Sequence, residues 1–326
     1  MEFLDFMLKG NYKKFYGDLK VISKKNGKSP TFMFIDAAFS SILYGSGLSD
    51  YLNYKFYERT AKERKKYVTI KYASKFYAKY SPKEAATNLR IKPKFHENYG
   101  KYTKRDFFLY EHGIDKLKEF TLKHPEFIVK PVDGLGGTGV RKSAVNEYKS
   151  LEELYNNIEE NRLFLEEIVI QNEEWGKICP KSVNTIRAMT RIMNGKAELF
   201  YAAARIGNGK VIMDNFHQGG VGVSIDVEKG ILVGNAVSKD LEEMEVHSAT
   251  NVKFDGFQIP YWEEIKKMVC EAAEINKEVR VVGWDVAIAK DGPLLIEANR
   301  RPGFDLVQVL LNHGAKYMLE EVKKTK

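Results

Sequence analysis

The sequence predicts an α+β protein whose strands are concentrated beyond the first hundred residues. Three observations carry this. An apolar run ends in Lys130 and opens into a glycine-dense loop. Two apolar stretches flank a tight turn near the C-terminus, and a hairpin pattern occupies the middle of the chain. The N-terminal hundred residues read differently, as a smaller, mainly helical domain.

The loop runs Ile128-Val129-Lys130-Pro131-Val132-Asp133-Gly134-Leu135-Gly136-Gly137-Thr138-Gly139-Val140. Glycine has no Cβ, so its backbone takes φ > 0 and comes close to a ligand. Consecutive backbone N–H groups in such a loop form a concavity for anionic oxygens. Lys130 adds a positive charge at its edge. The pattern reads as a grip on nucleotide phosphates, although the lysine precedes the glycines and the dinucleotide fingerprint G-x-G-x-x-G is absent. A plain glycine-rich hairpin is the alternative.

The C-terminal pair is Val281–Ala289, the turn residues Lys290-Asp291-Gly292, and Pro293–Asn299. A two-residue Asp-Gly turn would pair Lys290 with Pro293 and put Asp285 and Glu297 on opposite faces. A three-residue loop with glycine in the left-handed conformation would pair Asp285 with Glu297. Period-two alternation then adds Asn299 to the same face. Carboxylates directly opposite each other repel, and a cation removes that penalty. Two carboxylates and an amide oxygen suit Mg²⁺ carrying phosphates. Two ordinary surface acids are the alternative.

Between these stretches, residues 188–193 and 197–206 flank the turn Asn194-Gly195-Lys196 and predict a hairpin. Antiparallel pairing would bring Arg187 and Arg205 together, to clamp a carboxylate and a transferring phosphoryl group or to pair with nearby acids. Residues 261–279 show apolar positions at helical spacing, Trp262, Ile265, Met268, Val269, Ala272 and Ala273, which reads as core packing for the sheet. Of the histidines, His217 sits in a polar, glycine-flanked segment and is the stronger functional candidate.

Together, in this order, residues 101–305 resemble the ATP-grasp superfamily. Lys101-Tyr102-Thr103-Lys104 resembles its first lysine segment, so Lys104 matches the lysine that reaches the ATP phosphates. Lys130 and the loop from Asp133 through Gly136, Gly137 and Gly139 resemble the second lysine and flexible loop. Residues 164–171 resemble the hinge strand that recognises adenine, which involves Glu166, Glu167 and Ile168. Gln171 stands where a ribose-binding acid is expected, with Glu173 and Glu174 as nearby candidates. Asp285, Glu297 and Asn299 match the metal-binding set. Ser182-Val183-Asn184-Thr185-Ile186-Arg187 and Asn215-Phe216-His217-Gln218-Gly219-Gly220 narrow the resemblance to the sugar-transfer-associated branch, found among polysaccharide biosynthesis enzymes.

The resemblance implies an ATP-grasp fold, two α/β subdomains gripping ATP between antiparallel sheets, at residues 101–326. A glycine-loop lid would span about 120–175 and a metal-site subdomain about 176–326, after an N-terminal domain at 1–100. It implies ATP and Mg²⁺ (or Mn²⁺) and a carboxylate–amine ligase working through an acyl phosphate. An amino acid joined to a sugar or uronic acid is the implied product. Arg187, Arg205 and His217 would serve catalysis. Two rival readings are a kinase of a small-molecule or sugar hydroxyl, and a non-catalytic basic module for anionic glycan or nucleic acid.

Global properties fit a cytoplasmic enzyme. The 326 residues are 44% hydrophobic and 29% charged, ordinary for a globular chain of two or three domains. Cys179 and Cys270, the two cysteines, lack metal-ligand spacing and read as buried thiols in a reducing compartment. The start shows no secretory signal, and no run of 18 apolar residues suggests a membrane span. The net charge of +8 favours anionic partners, with no nucleic-acid motif beside it. The basic run 62–66 reads as a solvated helix face. The apolar stretch 31–44 contains Asp36, and the aromatics at 51–57 suit either a helical core or anchoring at a membrane surface.

Overall fold

A computed structural model describes residues 11–132, 139–209 and 219–324. The chain divides into two compact units, Met1–Pro82 with Gly303–Lys326, and Lys83–Pro302. The boundary expected near residue 100 falls inside the helix Lys92–Thr103. The C-terminal helices Asp305–Leu311 and Lys316–Lys324 belong to the first unit.

That first unit is helical. The helix Tyr12–Asn26 starts on the Asn11 cap, whose side chain accepts from the Lys14 N–H. Ser29 and Pro30 start the helix Pro30–Tyr44 in the same way. Phe15, Leu19, Met33, Ala37, Tyr51, Tyr54, Phe56, Tyr57 and Tyr67 form its core. The aromatics at 51–57 therefore pack inward. Asp36, the one acid in its apolar stretch, accepts two bonds of 2.7 Å from Arg64 and one of 2.8 Å from Tyr51. Arg64 thus turns inward, against the solvated face expected for 62–66. Gln308 joins the C-terminal helices to this unit by bonding both backbone groups of Val68, at 2.7 and 3.2 Å.

The second unit holds two antiparallel sheets. The smaller contains β1 (Phe107–Leu109), β2 (Glu126–Pro131), β3 (Arg141–Ala144) and β4 (Leu163–Glu166), in the order β1-β4-β2-β3. The helices Ile114–Lys123 and Leu151–Glu160 cover it through Phe108, Leu117, Phe120, Phe127, Val129, Leu154, Ile158 and Leu165.

The larger sheet contains β5 (Thr185–Met193), β6 (Lys196–Ile206), β7 (Val221–Asp226), β8 (Ile231–Ser238), β9 (Glu243–Met244), β10 (Val281–Ala289) and β11 (Gly292–Asn299). Their order is β11-β10-β5-β6-β7-β8-β9. The helix Trp262–Glu274 buries the predicted stripe Trp262, Ile265, Met268, Val269, Ala272 and Ala273 against this sheet. The β5–β6 turn is the two-residue Asn194-Gly195, both with positive φ (50° and 78°), so Met193 pairs with Lys196. Among the described residues no helix is long and apolar enough to cross a membrane.

Gly230, with φ of 68°, closes the β7–β8 turn, where a Cβ would overlap the Trp262 ring. Left-handed backbone and overpacking both oppose a side chain here. Gly230→Ala should destabilise the protein by about 2 kcal/mol or more, read as a lower urea midpoint at unchanged m-value. An unchanged midpoint would contradict this packing.

Candidate active site

The site begins with a register. β10 and β11 are joined by the two-residue turn Lys290-Asp291, with Ala289 opposite Gly292. Neither anticipated turn forms. Continued inward, this register would place Asp285 opposite Ile296. A β-bulge between Asp285 and Val286 intervenes: Val286 pairs with Leu295, Asp285 with Glu297, and Ile296 is the extra residue. The opposed carboxylates therefore arise from the bulge. Asn299 follows on the same face, opposite Gly283. Gly283 permits the close approach, since a Cβ there would lie 2.7 Å from Pro302 and 3.3 Å from the Arg187 side chain.

The neighbouring strands deliver the arginines. β5 pairs Arg187 with Asp285, and β6 pairs Arg205 with Thr185. Arg187 Nε donates to Asp285 Oδ1 at 2.6 Å, and Arg205 lies 2.9 Å from Oδ2. Arg205 also donates to Thr185 Oγ1 at 2.9 and 3.0 Å. Asp285 is 2% exposed. Burial alone would raise its pKa, but Arg187 and Arg205 outweigh that and hold it at about 2. Glu297 moves the other way. Its burial among protein atoms and the adjacent Asp285 carboxylate push it up to about 7. The Glu297 side chain still meets solvent, so repulsion from Asp285 is the firmer cause. Asn299 Nδ2 is buried with no hydrogen-bond partner.

A second buried carboxylate organises the smaller sheet. Glu166, at the end of β4, is 2% exposed. It accepts from Arg105 at 2.8 Å, contacts His96 at 2.7 Å, and pairs with Lys130. Burial opposes ionisation, yet Arg105, Lys130 and His96 hold its carboxyl well below the usual range. Burial lowers the His96 pKa despite this partner. A neutral Nε2–H tautomer donates to Glu166, leaving Nδ1 without a partner. Arg105 also donates to the carbonyls of Leu295 at 3.1 Å and Ile296 at 3.5 Å, at the bulge. One guanidinium thus ties β4 to the bulged strand. Sequence reasoning did not single out Arg105 or His96. The available signal was an acid closing the apolar strand Leu163-Phe164-Leu165, which requires a cation.

The remaining expected residues divide. Lys104, with φ of 49°, donates to the Pro293 carbonyl at 3.0 Å, beside the β10–β11 turn. The segment after β4 lies along the end of β10: Lys290 N–H donates to Ile170 O, Asn172 N–H to Ile288 O, both 2.9 Å. The Glu167 N–H donates to Asp106 O at 3.0 Å, and Ile168 is partly exposed. The Glu166 carboxylate is engaged by Arg105, Lys130 and His96. Gln171 uses its whole amide internally, donating to Cys179 O and Ser182 O and accepting from Asn184 N–H at 2.6 Å. Glu174 is exposed and pairs with Lys177, and Glu173 is also exposed. Gly139 has φ of 77° and packs near Pro131. Asp133, Gly136, Gly137 and His217 lie outside the described residues.

A family model described as "Sugar-transfer associated ATP-grasp" matches residues 57–324. The chain belongs to the sugar-transfer-associated ATP-grasp family. A search of curated proteins finds no match. Several solved structures are similar to this ATP-grasp chain at low identity. The ATP-grasp ligase PsnB in complex with a precursor variant, Mg and ADP is 13% identical, over 75% of this chain and 60% of that one, with a TM-score of 0.42. D-alanyl-alanine synthetase A from Vibrio cholerae is 16% identical, over 74% and 66%, with a TM-score of 0.42. An L-amino acid ligase from Bacillus licheniformis is 16% identical, over 68% and 43%, with a TM-score of 0.40. The chain spans less than two thirds of the length of each.

The raised Glu297 pKa has a consequence for stability without metal. The folded state holds this proton more tightly than the unfolded chain. The resulting stabilisation is full below about 4.5 and is lost as pH rises through about 7. In magnesium-free buffer, Tm should fall across that window. Glu297→Gln should flatten the slope and be more stable than the parent on its alkaline side. Identical pH slopes in the two proteins would show that Asp285 does not perturb Glu297.

Proposed function

We propose that this ATP-grasp chain is an ATP-dependent, ADP-forming carboxylate–amine ligase acting through an acyl phosphate. One observation carries the reading. Four cationic side chains, Arg105, Lys130, Arg187 and Arg205, are fixed by two buried carboxylates, beside an acid held near neutrality. A preorganised positive field of this kind suits a transferring phosphoryl group, whose catalysis rests on positioning and charge stabilisation.

The donor set fits Mg²⁺. Glu297 offers the accessible carboxylate, and the Asn299 amide, whose Nδ2 has no partner, would present its oxygen there when rotated. Asp285, whose two oxygens are held by Arg187 and Arg205, would join by lending one of them. Bound there, Mg²⁺ would neutralise charge on the ATP phosphates.

The protein's own groups do the rest. Lys130 and the loop after it would hold phosphate oxygens, and Lys104 would reach them from the β10–β11 turn. Backbone at Glu167–Val169 would meet adenine. The substrate carboxylate oxygen bonds to the γ-phosphorus as the bond to ADP breaks. Arg205, held by Asp285 and Thr185, would stabilise the transferring group, and Arg187 would orient the carboxylate. The amine then attacks the acyl carbonyl, and inorganic phosphate leaves. A carboxylate could not lose oxide directly, which is why the phosphate is needed. The sugar-transfer association in the family description favours a sugar or uronic acid on one side of the new amide, and we place an amino acid on the other. ATP supply and two free thiols, Cys179 and Cys270, suit the cytoplasm.

A screen of uronic acids and amino acids, in pairs, for ADP release with mass analysis of products tests the reading. ADP should appear only when a carboxylate is present, and the amide only when an amine is added. Phosphorylated alcohol as the sole product would overturn it. Lys130→Ala should lower turnover about tenfold to a hundredfold, the loss of one charged phosphate contact, while unfolding stays cooperative.

A further inference from the structure

We propose that the first unit docks on anionic lipid bilayers through one face of the helix Pro30–Tyr44. This inference does not depend on the catalytic reading. Phe32, Ile35, Phe39, Ile42 and Leu43 remain 49–66% exposed. At 3.6 residues per turn they fall within an arc of roughly 100°. The opposite face, Met33, Ala37 and Ser40, is buried in the unit's core. Single exposed apolar residues are ordinary, whereas five on one helical stripe mark a contact surface. The helix is 15 residues long, about 22 Å, short of a bilayer core of about 30 Å. It can lie in the interface and cannot span it.

Charge selects the occupant. The first unit contains twenty Lys and Arg against ten Asp and Glu, a net +10. The second unit contains 32 against 34, a net −2. All of the chain's basic excess therefore sits on the unit that carries the apolar stripe. The preceding helix Tyr12–Asn26, joined by a short turn, exposes Lys13, Lys14, Lys20, Lys24 and Lys25. An apolar stripe in the same unit as a dense lysine array matches a surface of acyl chains capped by anionic headgroups. A second copy of the chain would bring the same +10 against itself, a repulsive arrangement. The acid in the helix, Asp36, is neutralised inward by Arg64, so it does not oppose the lipid.

Vesicle co-sedimentation of the full chain tests this, using phosphatidylcholine alone and phosphatidylcholine mixed with phosphatidylserine. The protein should bind the mixed vesicles, weakly or not at all the neutral ones, and less as salt rises. Phe39→Ser with Ile42→Ser should weaken binding at least about tenfold, with unchanged circular dichroism and thermal unfolding. Lys20→Glu with Lys24→Glu should weaken the preference for phosphatidylserine by about tenfold or more. Binding that survives the serine pair, equal binding to both vesicles, or no binding would overturn the proposal. So would a dimer in analytical ultracentrifugation that the serine pair dissociates, since the stripe would then be a self-association surface.

Discussion

Arg105 and Glu166 form the contact on which the rest of the site rests. Both are less than a tenth exposed, and a buried charge without a partner is strongly destabilising. Glu166 must therefore keep its cations, and in doing so it places Lys130 at the end of β2 and His96 against β4. The other donors of Arg105 reach the carbonyls of Leu295 and Ile296. A bulge leaves its extra residue out of the strand ladder, and its backbone acceptor needs another donor. Arg105 supplies it. The contact that fixes Lys130 thus also supports the bulge that brings Asp285 opposite Glu297.

The two acids of that pair differ because their surroundings differ. Asp285 lies under Arg187 and Arg205 and stays ionised. Glu297 sits above it, feels Asp285 as a like charge, and stays near neutrality. Two carboxyls with pKa values driven apart mark a site prepared for a cation or a proton. The arginines are in turn fixed by the acid beneath them, so they would need little reorganisation in the phosphoryl transfer proposed above.

Much of this was legible in the sequence. The Asn194-Gly195 hairpin and the Trp262 helix stripe follow from spacing, and the shared face of Asp285, Glu297 and Asn299 is one of the two registers that spacing allows. The pairing of Asp285 with Glu297 was anticipated for the wrong local reason. A three-residue turn would give that pairing, whereas the structure has a two-residue turn and a bulge. Both give the same pairing, and only backbone geometry tells them apart. Arg105 and His96 went unread because their partner lies 61 and 70 residues away, beyond any local pattern. The same limit hid the membership of residues 303–326 in the first unit, which depends on Gln308 bonding to the Val68 backbone. Gln171 looked like a displaced ribose acid, and its amide instead locks the loop that leads into β5.

The most direct test is a carbon-13 carboxyl titration of the magnesium-free protein by NMR, with Glu297→Gln used for assignment. The Glu297 carboxyl should titrate near 7 and Asp285 should remain ionised down to about 2. If both carboxyls titrate together near 4, the ordinary carboxyl range, the acids are not an opposed pair and the proposed site is wrong.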